Sequence, residues 1–230
     1  MKDVREGPRA KSVVLDLESG DAKTQLILAG EQMFATGGIN GVSMREIAIR
    51  ARQGNHAAVQ YHFGSREGLV RAIFDFRMEQ MEQARGAMLQ RAEAQCRLND
   101  ARTILEIIFL PQLDLEGADG NRSYARFLSQ YLLQSKSPEF GDFGGFEPPN
   151  LSRALQLVRE RVSYVPPHVA QRRLISASFM FLNVLARHHD ADGKVFGESF
   201  EQALEDTMEQ IVIVMCMPLR LSPADGYPSR

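Results

Sequence analysis

The stretch that decides the fold is residues 42–70, which read VSMREIAIRARQGNHAAVQYHFGSREGLV. Ser43 can cap a helix with its side chain while Glu46, three residues on, reaches back to the amide of Ser43. This reciprocal arrangement is a strong start signal for a helix. The sequence therefore predicts a short helix over residues 44–51.

A second helix is predicted directly after a polar turn. Gly54 is free to take a positive φ, and Asn55 is placed as the N-cap of a helix over residues 56–63. The glycine and serine at 64–65 end this helix and begin a long one. With a first helix that starts near residue 22, three short helices and a long connector occupy about residues 22–90.

The helix over residues 56–63 has two unlike faces. Val59 and Phe63 fall on one side at helical spacing and would anchor the helix. The other side carries small and polar residues that suit close approach to another molecule: Ala57, Ala58, Gln60 and Tyr61. Glutamine can pair with adenine, alanine can touch a thymine methyl group, and tyrosine can reach a phosphate or a base edge. The pattern favours a helix that reads bases in the DNA major groove.

Phosphate contacts are predicted around this helix. Residues 40–71 hold five arginines and two glutamates, a local charge of +3, and helix N-termini attract anions. Each residue also has an ordinary structural role open to it, since Ser43 could be only a cap and His62 could bind a carbonyl. The predicted DNA contacts are Ser43, Arg45, Asn55, His56, Ala57, Gln60, Tyr61, His62 and Arg66.

A family resemblance rests on these motifs. The run VSMREIAIRA, followed by NHAAVQYHFGSREGLV, resembles the helix-turn-helix and following helix of the tetracycline-repressor (TetR) family of dimeric, ligand-responsive bacterial transcription regulators. It covers about residues 22–75 and includes MFATGGINGVS before the first motif. Two departures stand out. Arg52 stands where family members commonly have glycine, and the turn that follows is one residue longer. Gln60 stands where many members have tyrosine.

The resemblance implies a domain organisation. A helix-turn-helix DNA-binding domain over 21–70 would precede an effector-binding and dimerisation domain over 71–217, with a flexible leader over 1–20 and a flexible tail over 218–230. The last two helices would pack against a second copy as a four-helix bundle. A homodimer would hold two recognition helices about 34 to 36 Å apart, so that they read a palindromic operator.

Two sets of residues follow from this organisation. The apolar stripe of the last helices predicts a dimer interface, although the same stripe could be intramolecular core. Helical ligand pockets are mostly apolar with a few polar groups, which predicts a small apolar or aromatic effector, although these residues too could be plain core. The interface set is Ile175, Phe179, Leu204, Met208, Ile211 and Met215, and the effector set is Phe109, Phe127, Tyr131 and Met180.

The rest of the chain is also helical in pattern, which predicts an all-α fold. Pro111 would kink or end one of these helices. The Gly, Pro and Phe-rich segment 137–150 is predicted to be an irregular loop. The further helices are predicted over 103–115, 122–134, 151–164, 167–188 and 198–217.

Composition narrows the function. Among 230 residues the best apolar run, 211–217, has seven, far short of a membrane span, and the N-terminus lacks the apolar core of a secretory signal. The net charge of −2 argues against a protein that coats nucleic acid. The two cysteines match no metal or redox spacing and are expected to be reduced and buried in a cytoplasmic protein.

Other classes of function fare poorly. The adjacent histidines in RHHDAD, residues 187–192, lie on different helix faces and predict no metal site. No nucleophile elbow or phosphate-binding glycine loop is present, so neither an enzyme nor a cofactor is expected. The open alternative is a protein of the same fold with an architectural or protein-partner role and no small-molecule effector.

Overall fold

The computed structural model describes residues 21–55, 57–115, 123–134, 148–187 and 197–219, and its elements are α-helices and one 3-10 helix. The all-α prediction is confirmed. The predicted leader, His56, most of the loop over 137–150 and nearly all of the tail lie outside the described residues. The helices are α1 (Ala22–Gly37), α2 (Met44–Arg50), α3 (Ala58–Phe63), α4 (Arg66–Ala94), α5 (Ala101–Phe109), α6 (Ser123–Gln134), α7 (Pro149–Arg161), α8 (Pro167–Arg187) and α9 (Phe200–Cys216).

The first two helices begin where the sequence predicts, at Ala22 and Met44, and α2 ends at Arg50, one residue before its predicted end. Gly38, at φ 75°, ends α1 as a left-handed cap. At the start of α2 the Glu46 amide donates to Ser43 Oγ at 3.1 Å, and the Ser43 amide donates to Glu46 Oε2 at 2.9 Å. The predicted capping box is therefore present, and it fixes the first turn of α2.

The turn before α3 differs from the prediction. Asn55 Oδ1 accepts the amide of Ala57 at 2.9 Å, which closes a turn ahead of the helix, so α3 begins at Ala58, two residues late. The left-handed residue is Arg52, at φ 54°, and Gly54 has no positive φ. The arginine thus adopts the backbone conformation that the sequence assigned to a glycine.

The long helix α4 connects the N-terminal helices to the rest. It packs against α1, α5, α7 and the 3-10 helix, while α1 also lies along α6 and α8 pairs with α9. Pro111 ends α5 as predicted, since the chain continues as a 3-10 helix, Leu110–Asp114. The helix α7 starts at Pro149, inside the predicted loop, and ends at Arg161 rather than at residue 164.

One buried apolar cluster runs through the described helices, from Leu26 in α1 to Met215 in α9. The two cysteines are free, but the prediction that both are buried is wrong: Cys96 is exposed and Cys216 is half-buried. Within the described residues no helix is long and apolar enough to span a bilayer.

Candidate nucleic-acid interface

The short helix α3 presents a polar face on an apolar base. Val59 is buried and Phe63 is half-buried, as the helical wheel predicts. Gln60 and His62 are exposed, and the side chain of Tyr61 is 82% exposed. An exposed tyrosine on a helix with a buried opposite face is available to another molecule.

The base-reading face is smaller than predicted. Ala58 is buried against the core, because it lies on the flank of α3 next to the buried Val59. Its inclusion in the exposed face is therefore wrong. Ala57, Gln60 and Tyr61 remain on the outer side, and the rings of Tyr61 and His62 meet edge to face with centroids 5.0 Å apart.

The junction between α3 and α4 is tight. Gly64, at φ 72°, ends α3, and its amide donates to the Gln60 carbonyl at 3.0 Å. Ser65 Oγ then accepts the amide of Gly68 at 3.1 Å and caps α4. A Cβ atom on Gly68 would lie 2.0 Å from the Phe63 carbonyl oxygen, so only glycine permits this approach of the two helices. A larger residue at this position would therefore require α3 or α4 to shift.

Arg66 does not occupy the place predicted for it. Its Nη1 donates to the Val42 carbonyl at 2.6 Å and also to the Ile39 carbonyl, and its guanidinium lies over the ring of Phe34, 5.9 Å from the centroid. The side chain is half-buried beneath the α1–α2 loop. Its assignment as a phosphate contact is therefore corrected to an internal one that holds the loop before α2.

The other predicted contacts lie on the surface. Ser43, Arg45 and Asn55 are exposed, whereas His56 is outside the described residues. Ser43 is also the N-cap of α2, and its hydrogen bonds with Glu46 lower the pKa of the Glu46 carboxyl. Arg50 and Arg71, which sequence reasoning counted in the basic patch but did not select, are exposed as well.

A comparison with known families decides the identity of these helices. Residues 26–73, from α1 into α4, match the family of bacterial regulatory proteins, tetR family. These helices form a tetR-family domain. The match agrees with the sequence-based expectation of a DNA-binding transcription regulator rather than an enzyme.

Solved structures and curated proteins add little to this tetR-family assignment. One structure, described as the molecular basis for control of antibiotic production by bacterial hormones, is 20% identical, with 85% of this chain and 98% of that chain covered and a TM-score of 0.45. A second, AibR in complex with isovaleryl coenzyme A and operator DNA, is 15% identical, with coverages of 86% and 100% and a TM-score of 0.41. No curated protein matches the chain.

Behind the tetR-family domain, the predicted effector residues are part of an aromatic interior. Phe127 is buried beside Phe74, with centroids 5.1 Å apart, and Tyr131 meets Phe74 edge to face at 4.6 Å. Phe109 is buried against Phe181 at 5.2 Å, and Met180 packs half-buried on the core. Their contact with an effector stays a prediction.

Half of the predicted dimer interface is internal. Met208, Ile211 and Met215 are buried within the chain, because this side of α9 packs on α8 and α5. These three residues are therefore core and not interface. Ile175, Phe179 and Leu204 are half-buried and remain candidates.

Two buried charge pairs escaped the sequence analysis. Arg77 binds Glu31 through Nε at 2.6 Å and Nη2 at 2.8 Å, and the Ser123 hydroxyl donates to the same carboxylate. Arg85 contacts Glu82 at 3.3 Å, about two helical turns after Arg77 along α4. The helical spacing of the sequence could have indicated burial of these arginines, since both share the α4 face that buries Ile73, Met78 and Met81. Apolar periodicity depends only on the apolar residues of such a face.

Metal ligation finds no support in the described helices. They hold no group of three or more side chains suited to a metal ion. Residues 188–192, the histidine and aspartate run considered above, lie outside the described residues.

Proposed function

We propose that the chain is a sequence-specific transcriptional regulator that represses its target genes and leaves a palindromic operator when a small apolar or aromatic effector binds. The observation that carries the proposal is the outward face of α3, where Gln60 and Tyr61 are exposed above a buried Val59. In a tetR-family domain such a face suits base contacts in the major groove.

The proposed regulator acts as a homodimer. Ile175, Phe179 and Leu204 are partly accessible, and Ile213 on the outer side of α9 is 62% exposed. Partly accessible apolar side chains on α8 and an exposed one on α9 support pairing of these two helices with a second copy. Two copies of α3 would then read the two halves of one palindrome.

The proposed effector binds in the helices that follow the tetR-family domain. The ring of Phe74 contacts those of Phe127 and Tyr131, and the ring of Phe127 stacks against Phe34 of α1. A ligand that displaced these rings would act on both α4 and α1. This arrangement supports control of the DNA-binding helices by an apolar or aromatic molecule.

The test begins with selection of binding sites from a pool of random duplexes, followed by gel shifts with the enriched sequence. We expect a palindrome to be enriched, and Tyr61→Ala to weaken its binding by about 1 to 3 kcal/mol because a contact from α3 is lost. Leu133→Ala, which truncates an exposed side chain on α6, is the control and should bind as the unmodified protein does. Unchanged affinity of the Tyr61 variant would show that α3 does not read the operator.

A further inference from the structure

The second buried arginine of α4 is poorly paired. Arg85 is 1% exposed, and its Nη1 and Nη2 atoms contact Glu82 Oε1 at 3.3 Å and the sulfur atoms of Met78 and Met81 at 3.9 and 3.4 Å. Its Nε has no hydrogen-bond partner among the residues that the structure describes. Thioether sulfur is a weak acceptor, and a buried cation is costly unless strong acceptors surround it. Burial lowers the pKa of Arg85 accordingly.

Glu82 does not fully compensate this charge, because it serves another element. Its carboxylate accepts the amides of Asn150 at 2.8 Å and Leu151 at 3.2 Å, in the first turn of α7. These amides and the helix dipole already stabilise the carboxylate. Arg85 is left with one long contact to a shared acceptor.

A second unpaired polar group lies close by on α6. The hydroxyl of Tyr124 is buried and finds no hydrogen-bond partner in the described part of the chain, and the residue is 2% exposed. Burial raises the pKa of Tyr124 well above its usual range, while the charge of Arg85 acts to lower it. Both side chains meet the same stretch of α4, since the Tyr124 ring lies beside Phe74 and Arg85 Nη1 contacts the sulfur atom of Met78, one helical turn further along. A buried hydroxyl without a partner costs free energy. Among the described residues, the Nε of Arg85 and the hydroxyl of Tyr124 are therefore two buried donors without an acceptor.

We propose that Arg85 and Tyr124 bind the carboxylate of a small molecule whose apolar or aromatic body lies against Phe74 and Phe127. The ring of Tyr124 meets Phe74 at 6.4 Å and Phe127 at 6.1 Å between centroids, so the polar end adjoins the aromatic interior. The sulfur atoms of Met78 and Met81 contact the Arg85 nitrogens that would bind the carboxylate oxygens. The flexible methionine side chains can repack around a bound ligand. The inference rests on the proposed effector function for its effect on DNA, but carboxylate binding stands apart from it.

The experiment uses the full-length protein and four carboxylates: benzoate, phenylacetate, octanoate and decanoate, each beside its primary amide. Binding is measured by calorimetry and by the shift in melting temperature, without DNA. We expect at least one carboxylate to bind and its neutral amide to bind about tenfold more weakly or not at all, because charge-assisted hydrogen bonds are lost.

Two variants test the residues. Tyr124→Phe should weaken carboxylate binding by about tenfold, the loss of one hydrogen bond to a charged acceptor. Arg85→Lys keeps the charge beside Glu82 but loses the planar donor set, and should weaken binding at least as much. Tyr164→Phe is the matched control, since this exposed hydroxyl already donates to the Cys216 carbonyl, and it should leave carboxylate binding unchanged.

The ligand-free variants separate a binding role from a structural one. Tyr124→Phe removes an unpaired hydroxyl and should leave the melting temperature unchanged or raise it. A fall of several degrees would show that the hydroxyl has a structural partner and would overturn the assignment. So would equal binding of acids and amides, or no binding by any member of the panel.

The DNA readout distinguishes this inference from the proposed function. A carboxylate that binds through Arg85 and Tyr124 without releasing operator DNA would support the site and contradict effector control. Release of DNA by an amide as readily as by its acid would support effector control and contradict the carboxylate site.

Discussion

At the scale of single residues, Arg66 shows how a basic side chain in a DNA-binding motif can serve the fold. Its guanidinium bridges the carbonyls of Ile39 and Val42, which precede α2, while its backbone begins α4. These partners lie 27 and 24 residues away in the chain. Sequence spacing could not show this contact, because only the packing of α4 beneath the loop brings the groups together.

The internal position of Arg66 leads to a prediction about salt. Arg66→Ala should lower the free energy of unfolding by about 1 to 3 kcal/mol, since two carbonyls lose a charged donor. The salt dependence of DNA binding should not change, because no phosphate contact is lost. Arg45→Ala is the comparison: this exposed residue should reduce the salt slope by about one phosphate contact and leave stability unchanged.

The outcome is read from chemical denaturation and from binding measured at several salt concentrations. An unaltered stability together with a shallower salt slope for Arg66→Ala would restore the phosphate contact first expected from the sequence.

Arg52 marks a second limit of sequence reasoning at this scale. The motif signalled a left-handed residue in the turn, and Gly54 was the natural choice, yet the chain takes that conformation at Arg52. The cost of a non-glycine residue in this region is about 1 to 2 kcal/mol, which tertiary packing can offset. Composition predicted that a tight turn exists but could not locate its strained residue.

At the scale of elements, the helix pair α3 and α4 depends on one glycine. A Cβ atom at Gly68 would lie 2.0 Å from the Phe63 carbonyl oxygen, whereas a Cβ atom at Gly54 would have no neighbour within 4 Å. Because the first clash is with backbone, α3 would have to move. The two glycines therefore form a matched pair in the same motif.

We expect Gly68→Ala to destabilise the protein by about 1 to 3 kcal/mol and to reduce operator affinity, because α3 is displaced. Gly54→Ala should be neutral or stabilising by up to about 1 kcal/mol, through the loss of unfolded-state entropy. Thermal melts and gel shifts on both variants measure this. Equal behaviour of the two would mean that the close approach at Gly68 does not set the angle of α3.

Helix starts were predictable from local chemistry, whereas helix partners were not. The capping box at Ser43 appears as predicted because it depends on neighbours within four residues. The stripe on α9 was equally visible, but whether it faces its own chain or a second copy depends on packing. Met208, Ile211 and Met215 are buried by α5 and α8 for that reason.

At the scale of the whole molecule, the buried pair Glu31–Arg77 joins three helices. Glu31 lies on α1, Arg77 on α4, and Ser123 on α6 donates to the same carboxylate. Glu31 is 0% exposed and Arg77 2%, so each is a buried charge that the opposite charge of the other balances. This pair ties the tetR-family domain to the helices proposed to bind the effector.

Removing one member should therefore be costly. Glu31→Gln should lower the free energy of unfolding by about 3 kcal/mol or more, because it leaves Arg77 buried without a carboxylate. Glu79→Gln, at an exposed position of α4, is the control and should change stability by less than about 0.5 kcal/mol. Denaturation of the two variants tests this, and similar losses for both would show that the pair contributes little.

The same pair has a consequence for cooperativity. If α1 separated from α4 and α6, both a carboxylate and a guanidinium would lose their partner, and the apolar cluster that runs from α1 to α9 would be opened. Neither α1 nor the helices α4 and α6 can separate from the others without this penalty. Heating should then give a single calorimetric transition whose measured enthalpy equals the van't Hoff enthalpy of one unit, with the DNA-reading helices and the helices behind them lost together.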